Sequence, residues 1–394
     1  MSRIPESLYS VKGSTFEAVE LPEIKEVRGK EWMGFGAKNL FPQELIEIYN
    51  TSAMHATAVN AITDAVKGQG LALVGEEYVN LDGETLDDIF AKMSLDYVLF
   101  GGYSLNLIWN KEGTRVVEIY HLPFANIRSG QENEDGDVTH YYYSSDWSNI
   151  RKHKPKEYRK FNPTDNKKDN ASQIYYVYDY QPGQDFYPLP SYMGALTDCD
   201  LDARISRFHN QNLKNGLNPS MFIQFRSGIP TPDERQTIYR EIDAAFSGEE
   251  NAGKFFMSFS RAGEEMQITP LDASSDDYYV VLEERITSRI LTAHRITSPL
   301  LLGIKDAAGF SNNADEIKVA YQHFLATTIQ PKQEKLTKTF QFMLKFFGLT
   351  VNLNIIPNEI LPTVEEKIEI QENIEDNDGG NSIINQWAES KAVH

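Results

Sequence analysis

The chain has 394 residues, 41% hydrophobic, 24% charged and 11% aromatic, enough to pack a core across two or three substructures. Its one cysteine, Cys199, excludes an intramolecular disulfide framework and a thiolate-rich metal site. A net charge of −19 argues against a protein that grips nucleic acid through dense phosphate contacts, but not against a surface along which DNA slides without sticking.

Met1-Ser2-Arg3-Ile4-Pro5 lacks the apolar stretch of a signal peptide, and no apolar run approaches the roughly 18 residues a membrane helix needs. The chain is therefore expected to work away from a membrane, in a cytoplasm or in something assembled there. Residues 1–40 show no sustained periodicity and are expected to form an arm or loosely packed extension. Pro42 opens a long helical pattern carried by Leu45, Ile46, Ile48, Tyr49, Met54, Ala58, Ile62 and Val66, and Lys67-Gly68-Gln69-Gly70 stops it. A second helix starts at a capping box of Thr85 and Asp88 and ends at Gly101-Gly102.

Residues 103–110 and 115–120 flank Lys111-Glu112-Gly113 and read as a hairpin; 138–144 and 173–180 are further strand-like pieces. The lysine-rich segment 151–170, with Pro155 and Pro163, reads as a solvated loop or as a surface contacting another protein or DNA. From Tyr192 the pattern returns to helix, with Leu196, Leu201, Ile205, Phe208 and Leu213 as an intermittent apolar stripe closed by Asn215-Gly216. Cys199 lies on this pattern and reads as a small packed residue. A compact α/β insert follows: strand 221–225, helix 232–246, strands 255–260 and 265–271. A further helix begins at Ser274, a glycine-containing loop covers 298–313, and a long helix runs over 314–347 with Pro331 expected to kink it midway. The segment 362–394 is acidic, with Gly379-Gly380 interrupting it.

No enzyme constellation is present. There is no Gly-x-x-x-x-Gly-Lys-Ser/Thr, no Gly-x-Ser-x-Gly elbow and no His-Glu-x-x-His, and the eight histidines are scattered. His294 and His323 read as packed or hydrogen-bonded side chains. Asp198, Asp200 and Asp202 alternate, a spacing that spreads them around a helix axis instead of converging them on one ion. No catalytic activity, cofactor or metal is expected.

A family pattern runs from about residue 190 to 345. It is carried by Pro190-Ser191-Tyr192-Met193-Gly194-Ala195, by Phe208 through Asn215-Gly216-Leu217-Asn218-Pro219, and by Asn251-Ala252-Gly253-Lys254. It continues in Arg295-Ile296-Thr297-Ser298-Pro299-Leu300-Leu301-Leu302-Gly303, Phe310-Ser311-Asn312-Asn313 and Thr328-Ile329-Gln330-Pro331. In this order and spacing the segments resemble the phage portal proteins of the HK97-like and PBSX-like group; residues 52–70 and Leu122-Pro123 are weaker matches. Each piece alone is unspecific, and the first 40 residues and the acidic tail match nothing in the group.

The resemblance implies an α+β portal fold assembled as a twelve-subunit ring. Its parts would be an N-terminal arm (1–40), a wing (41–191), a stem helix (192–216), a clip (217–273), a second stem helix (274–297), a tunnel loop (298–313), a long kinked wing helix with a strand (314–361), and a small crown with the acidic tail (362–394). Such a ring sits at one capsid vertex of a virion, is assembled in the host cytoplasm, and passes double-stranded DNA during packaging and ejection. Its partners would be the large terminase, then a head–tail connector, with major capsid and scaffold proteins around it. An acidic lining would let DNA slide, which makes Asp198, Asp200, Asp202, Asp277, Glu283 and Glu284 stem candidates for the channel. Tunnel-loop candidates facing DNA are Gly303, Lys305, Asp306, Gly309, Ser311, Asn312 and Asn313, with Lys305 the expected phosphate contact. Clip docking candidates are Asp233, Glu234, Arg235, Arg240 and Glu241. Another ring-forming virion protein, or an enzyme whose site residues are not visibly connected, remain alternatives.

Overall fold

The computed structural model describes residues 22–72, 78–164, 170–214, 221–225, 255–259, 267–270, 276–302, 314–349 and 352–358, with the single positions 231 and 237. Its first element is a ribbon of β1 (Ile24–Glu26) and β2 (Met33–Phe35), antiparallel with Ile24 opposite Phe35. All of β2 is buried, and Phe35 stacks on Tyr187 with ring centroids 4.1 Å apart. The expected loose extension is thus corrected over residues 22–40. Three-residue strands are too short to show a period, and the aromatic ring that holds them lies far along the chain.

The helix expected from Pro42 to Val66 is two helices, α1 (Phe41–Thr51) and α2 (Ala53–Lys67). Ser52 leaves helical geometry at φ −92°, ψ 113°. Its hydroxyl accepts from the His55 N–H and donates to Asp202 Oδ2 at 2.6 Å. The apolar spacing continues across this break, so the pattern alone hides it. α3 (Leu86–Phe100) starts at the expected capping box, with Thr85 and Asp88 exchanging both hydrogen bonds, and Gly101 ends it at φ 81°.

Beyond that turn lies a six-stranded sheet in the order β4-β3-β8-β7-β6-β5. Its strands are β3 (Gly102–Trp109), β4 (Val116–Leu122), β5 (Ile127–Ser129), β6 (His140–Tyr143), β7 (Lys156–Lys160) and β8 (Ser172–Tyr178). All neighbours are antiparallel except β7 and β8. The hairpin β3–β4 follows the sequence reading, while β7 corrects the loop expected over 151–170: its charged, exposed residues carry no apolar alternation. On β3 the period of two places Tyr103, Leu105, Leu107 and Trp109 in the core at 3% exposure or less. At Gly102 a Cβ would stand 2.7 Å from the Val177 carbonyl oxygen, so the strands can close only around glycine. Gly102→Ala should therefore lower stability by about 1–3 kcal/mol in chemical denaturation, with the denaturant slope unchanged.

The main core joins β2–β4 and the helices α1–α3 to the C-terminal helices. The long helix expected here runs unbroken as α-helical residues Ala314–Phe324, a π-helical turn at Leu325–Ile329, and α-helical residues Gln330–Phe347. Pro331 sits in the first turn of the last piece, where its missing N–H costs little. The irregularity is absorbed just ahead of it, by the wider turn.

Candidate channel and assembly surfaces

Two helices flank an α/β insert in the sequence. α4 (Leu196–Lys214) and α5 (Asp276–Ala293) pack together through Cys199, Ile205, Ile286 and Ile290. Asp198 meets Arg289 at 3.3 Å and His209 meets Glu283 at 3.3 Å, so α4 ascends as α5 descends. Between them in sequence lies a three-stranded sheet of β9 (Met221–Phe225), β10 (Phe255–Phe259) and β11 (Gln267–Pro270). β9 is central, parallel to β10 and antiparallel to β11. A parallel pair needs a crossover connection between its strands; the helix expected at 232–246 falls largely outside the described residues.

α5 ends in a Schellman motif. The Ile296 N–H donates to the Leu291 carbonyl and the Arg295 N–H to that of Thr292, with Ile296 and Leu291 both buried. Arg295 occupies the left-handed position at φ 59°, where glycine is usual. The remaining C-terminal helices are α6 (Ala314–Phe324) and α7 (Gln330–Phe347).

The aspartates of α4 take separate partners, as their spacing implies. Asp198 pairs with Arg289, Asp200 with Arg204 one turn on at 2.6 Å, and Asp202 with the Ser52 hydroxyl and the Met54 N–H at 3.4 Å. Asp202 therefore fastens α4 to the α1–α2 junction. On α5, Glu283 and Glu284 are exposed, Glu283 with His209 beside it. Asp277 lies in the first turn of α5. The tunnel-loop residues Gly303, Lys305, Asp306, Gly309, Ser311, Asn312 and Asn313 lie outside the described residues. So do the clip residues Asp233, Glu234, Arg235, Arg240 and Glu241, and the tail 362–394. Cys199 is fully buried, and burial first, then the charges of Asp198 and Asp202, push its thiol up to about 12. A thiol so buried and so weakly acidic holds little of the reactive thiolate at neutral pH.

A pair that sequence reasoning missed joins α2 to α5. His55 Nδ1 and His294 Nε2 stand 3.1 Å apart, both residues buried, and His294 stacks on Tyr192 with rings 10° from parallel. His294 Nδ1 lies 2.7 Å from the Ile290 carbonyl, an acceptor only, so it carries the proton. His294 Nε2 then accepts and His55 Nδ1 donates, leaving His55 Nε2 buried with no hydrogen-bond partner. Burial first, then the neighbouring His294, lowers the His55 pKa to about 3. Burial also takes His294 down to about 4, against the Ile290 hydrogen bond. The two rings are 239 residues apart, and no local signal links them. Among the described residues no group of three or more His, Cys, Asp or Glu could hold a metal, and no helix is long and apolar enough to cross a membrane.

The "Probable portal protein" of Escherichia phage P2 is 21% identical over 250 residues, 63% of this chain and 65% of that protein's length. Two solved structures share the fold at 18% identity. One is the neck of an empty gene transfer agent particle computed with C6 symmetry, with a TM-score of 0.52 over 87% of this chain and 90% of that one. The other is the neck of a native particle computed with C12 symmetry, with a TM-score of 0.50 over 87% and 91%. Residues 84–360 match the family described as phage portal protein, and with well over half of its length inside that match the chain belongs to the phage portal protein family.

Proposed function

We propose that the chain is the subunit of a twelve-membered ring at one capsid vertex, whose central channel passes double-stranded DNA inward during packaging and outward on ejection. The observation that carries this reading is the antiparallel pair α4–α5 with a small α/β insert between its helices. The pair serves as the stem and the insert as the clip, the part that docks the large terminase and later a head–tail connector. The ribbon, α1–α3, the six-stranded sheet and α7 form the wing, residues 298–313 the tunnel loop, and the acidic tail a crown.

A ring closed by repeated heterologous contacts needs apolar surface on both sides of its subunits. Val281 on α5 is 45% exposed and Val319 on α6 is 64% exposed, placing apolar side chains where an adjoining copy can cover them. Asp198, Asp200 and Asp202 are held by partners within the chain and Glu283 has His209 beside it, which leaves exposed Glu284 on α5 as the stronger candidate for an acidic lining among the described side chains. The C12 symmetry with which the neck of the native gene transfer agent particle was computed also favours twelve copies. Electron microscopy and light scattering of the purified protein test the reading. Twelve 44.8-kDa copies should form a ring of about 540 kDa with a hole wider than duplex DNA. Rings without such a hole would point to another ring-forming virion protein, and a compact dimer with a deep polar cleft would sink the portal reading for this chain.

A further inference from the structure

A pocket of about 320 Å³ opens between α3, the start of α7, the end of α5 and the turn before α4. Its wall brings together Lys332, Lys335 and Arg295 against one carboxylate, Asp179. That carboxylate is already engaged: Lys335 pairs with it and the Tyr97 hydroxyl donates to it at 2.8 Å. Two cations are left over. The Lys332 ammonium stands over the Tyr97 ring, 5.2 Å from its centroid, and has no carboxylate in salt-bridge reach among the described residues. Burial lowers its pKa, and the neighbouring Arg295 and Lys335 act in the same direction against Asp179, so its surroundings oppose the charge.

A second observation lies in the same pocket. Thr328 lines the pocket at 3% exposure, and its hydroxyl has no hydrogen-bond partner. A buried hydroxyl without a partner normally costs about 1–3 kcal/mol, a cost removed by an acceptor placed in the pocket. Arg295 adds a third sign. It holds the left-handed position that glycine would take without strain, at the point where its side chain reaches this wall.

From these contacts we infer that the pocket is a binding site for a single oxyanion, a phosphate or carboxylate group held between Lys332 and Arg295 with Thr328 donating to it. The group reaches the pocket either free in solution or as a carboxylate side chain of an adjoining copy. The site goes beyond the ring reading and does not depend on it when the free anion is the ligand.

The test uses the full chain and inorganic phosphate, read as the shift in thermal midpoint against chloride at matched ionic strength. Phosphate should raise the wild-type midpoint. Lys332→Met and Arg295→Gly should each weaken phosphate about tenfold or more. Neither variant is expected to fold less well, because methionine removes a buried charge and glycine removes backbone strain; both should match or exceed the wild-type midpoint in chloride. An equal phosphate shift in all three proteins, or none in the wild type, overturns the proposal. Repeating the titration on assembled rings separates the sources. Binding retained in rings identifies a free anion, whereas binding present in dispersed chains and lost in rings identifies a carboxylate from the adjoining copy. Failure to form rings would count against the assembly reading and leave the dispersed-chain titration decisive.

Discussion

Replacing Arg128 by methionine should destabilise the fold by about 3–5 kcal/mol. The guanidinium is fully buried and neutralised by no carboxylate among its hydrogen-bond partners. It donates instead to the carbonyls of Ala125, Ile127 and Asn39 at 2.7–2.9 Å, to Asn39 Oδ1 at 2.6 Å and to Gln43 Oε1 at 3.2 Å. The Trp147 ring lies 4.8 Å from the guanidinium carbon. Burial draws its pKa down to about 10, which still leaves it charged at neutral pH. Methionine fills much of the volume and abolishes every one of these bonds, stranding acceptors that water reaches poorly. Because Asn39 and Gln43 belong to the N-terminal ribbon's exit and to α1, while Ile127 opens the edge strand β5 and Ala125 lies just ahead of it, the loss should also loosen residues 22–40. Chemical denaturation measures the first effect and limited proteolysis near residue 30 the second. A change below about 1 kcal/mol would mean that water replaces the guanidinium without strain.

The second large effect is acid lability from His55 and His294. Both are neutral in the folded chain, with pKa values pulled from 6.5 to about 3 and about 4. In the unfolded chain they take up protons near 6.5, so the unfolded state binds more protons throughout the window between. Stability contributed by the neutral pair is fully present above pH 6.5 and is lost as pH falls toward 4, by up to about 1.4 kcal/mol per pH unit for each ring. Asp88 and Asp146, whose pKa values are lowered by hydrogen bonds from Thr85 and Ser148, lose their contribution only at more acid pH. Denaturant midpoints from pH 7 to 4 should therefore fall steeply before the carboxylates titrate. His294→Gln removes one titrating ring, and the slope should drop to about half. A flat profile from pH 6.5 to 4 would show that the rings are hydrated in solution.

What could be read from the chain before its structure was whatever is written locally. The Thr85–Asp88 capping box, the Gly101-Gly102 stop, the β3–β4 hairpin and the three insert strands all announce themselves within a dozen residues. The features that stayed hidden are settled at long range. Ser52 breaks its helix because Asp202 waits 150 positions later, and the helical spacing is the same on either side. β7 is a strand because β6 and β8 flank it, although its own residues read as a charged loop. Pro331 marks an irregular region, but a proline in the sequence cannot say that a π-turn will form just ahead of it. The candidate channel residues divide in the same way. The alternation of Asp198, Asp200 and Asp202 foretells that they diverge, but not that Asp202 is bound to another helix pair. The His55–His294 contact and the pocket beside Lys332 leave no trace in the local pattern.

The one parallel pairing in the large sheet has a mechanical consequence. β7 and β8 meet in register at only two positions, Arg159 with Gln173 and Lys160 with Ile174, whereas β3 and β8 match over seven. The sheet is thus two antiparallel plates, β4-β3-β8 and β7-β6-β5, joined along a narrow weld. Gln173 rivets that weld: its buried Oε1 accepts from the Trp109 indole at 3.0 Å on one plate and from the Asn162 N–H at 3.3 Å on the other side. Few strand-to-strand bonds cross this line, so cohesion between the plates rests on side chains as well: Tyr141 of β6 stacks on Tyr176 of β8, and Arg128 of β5 reaches Asn39 and Gln43.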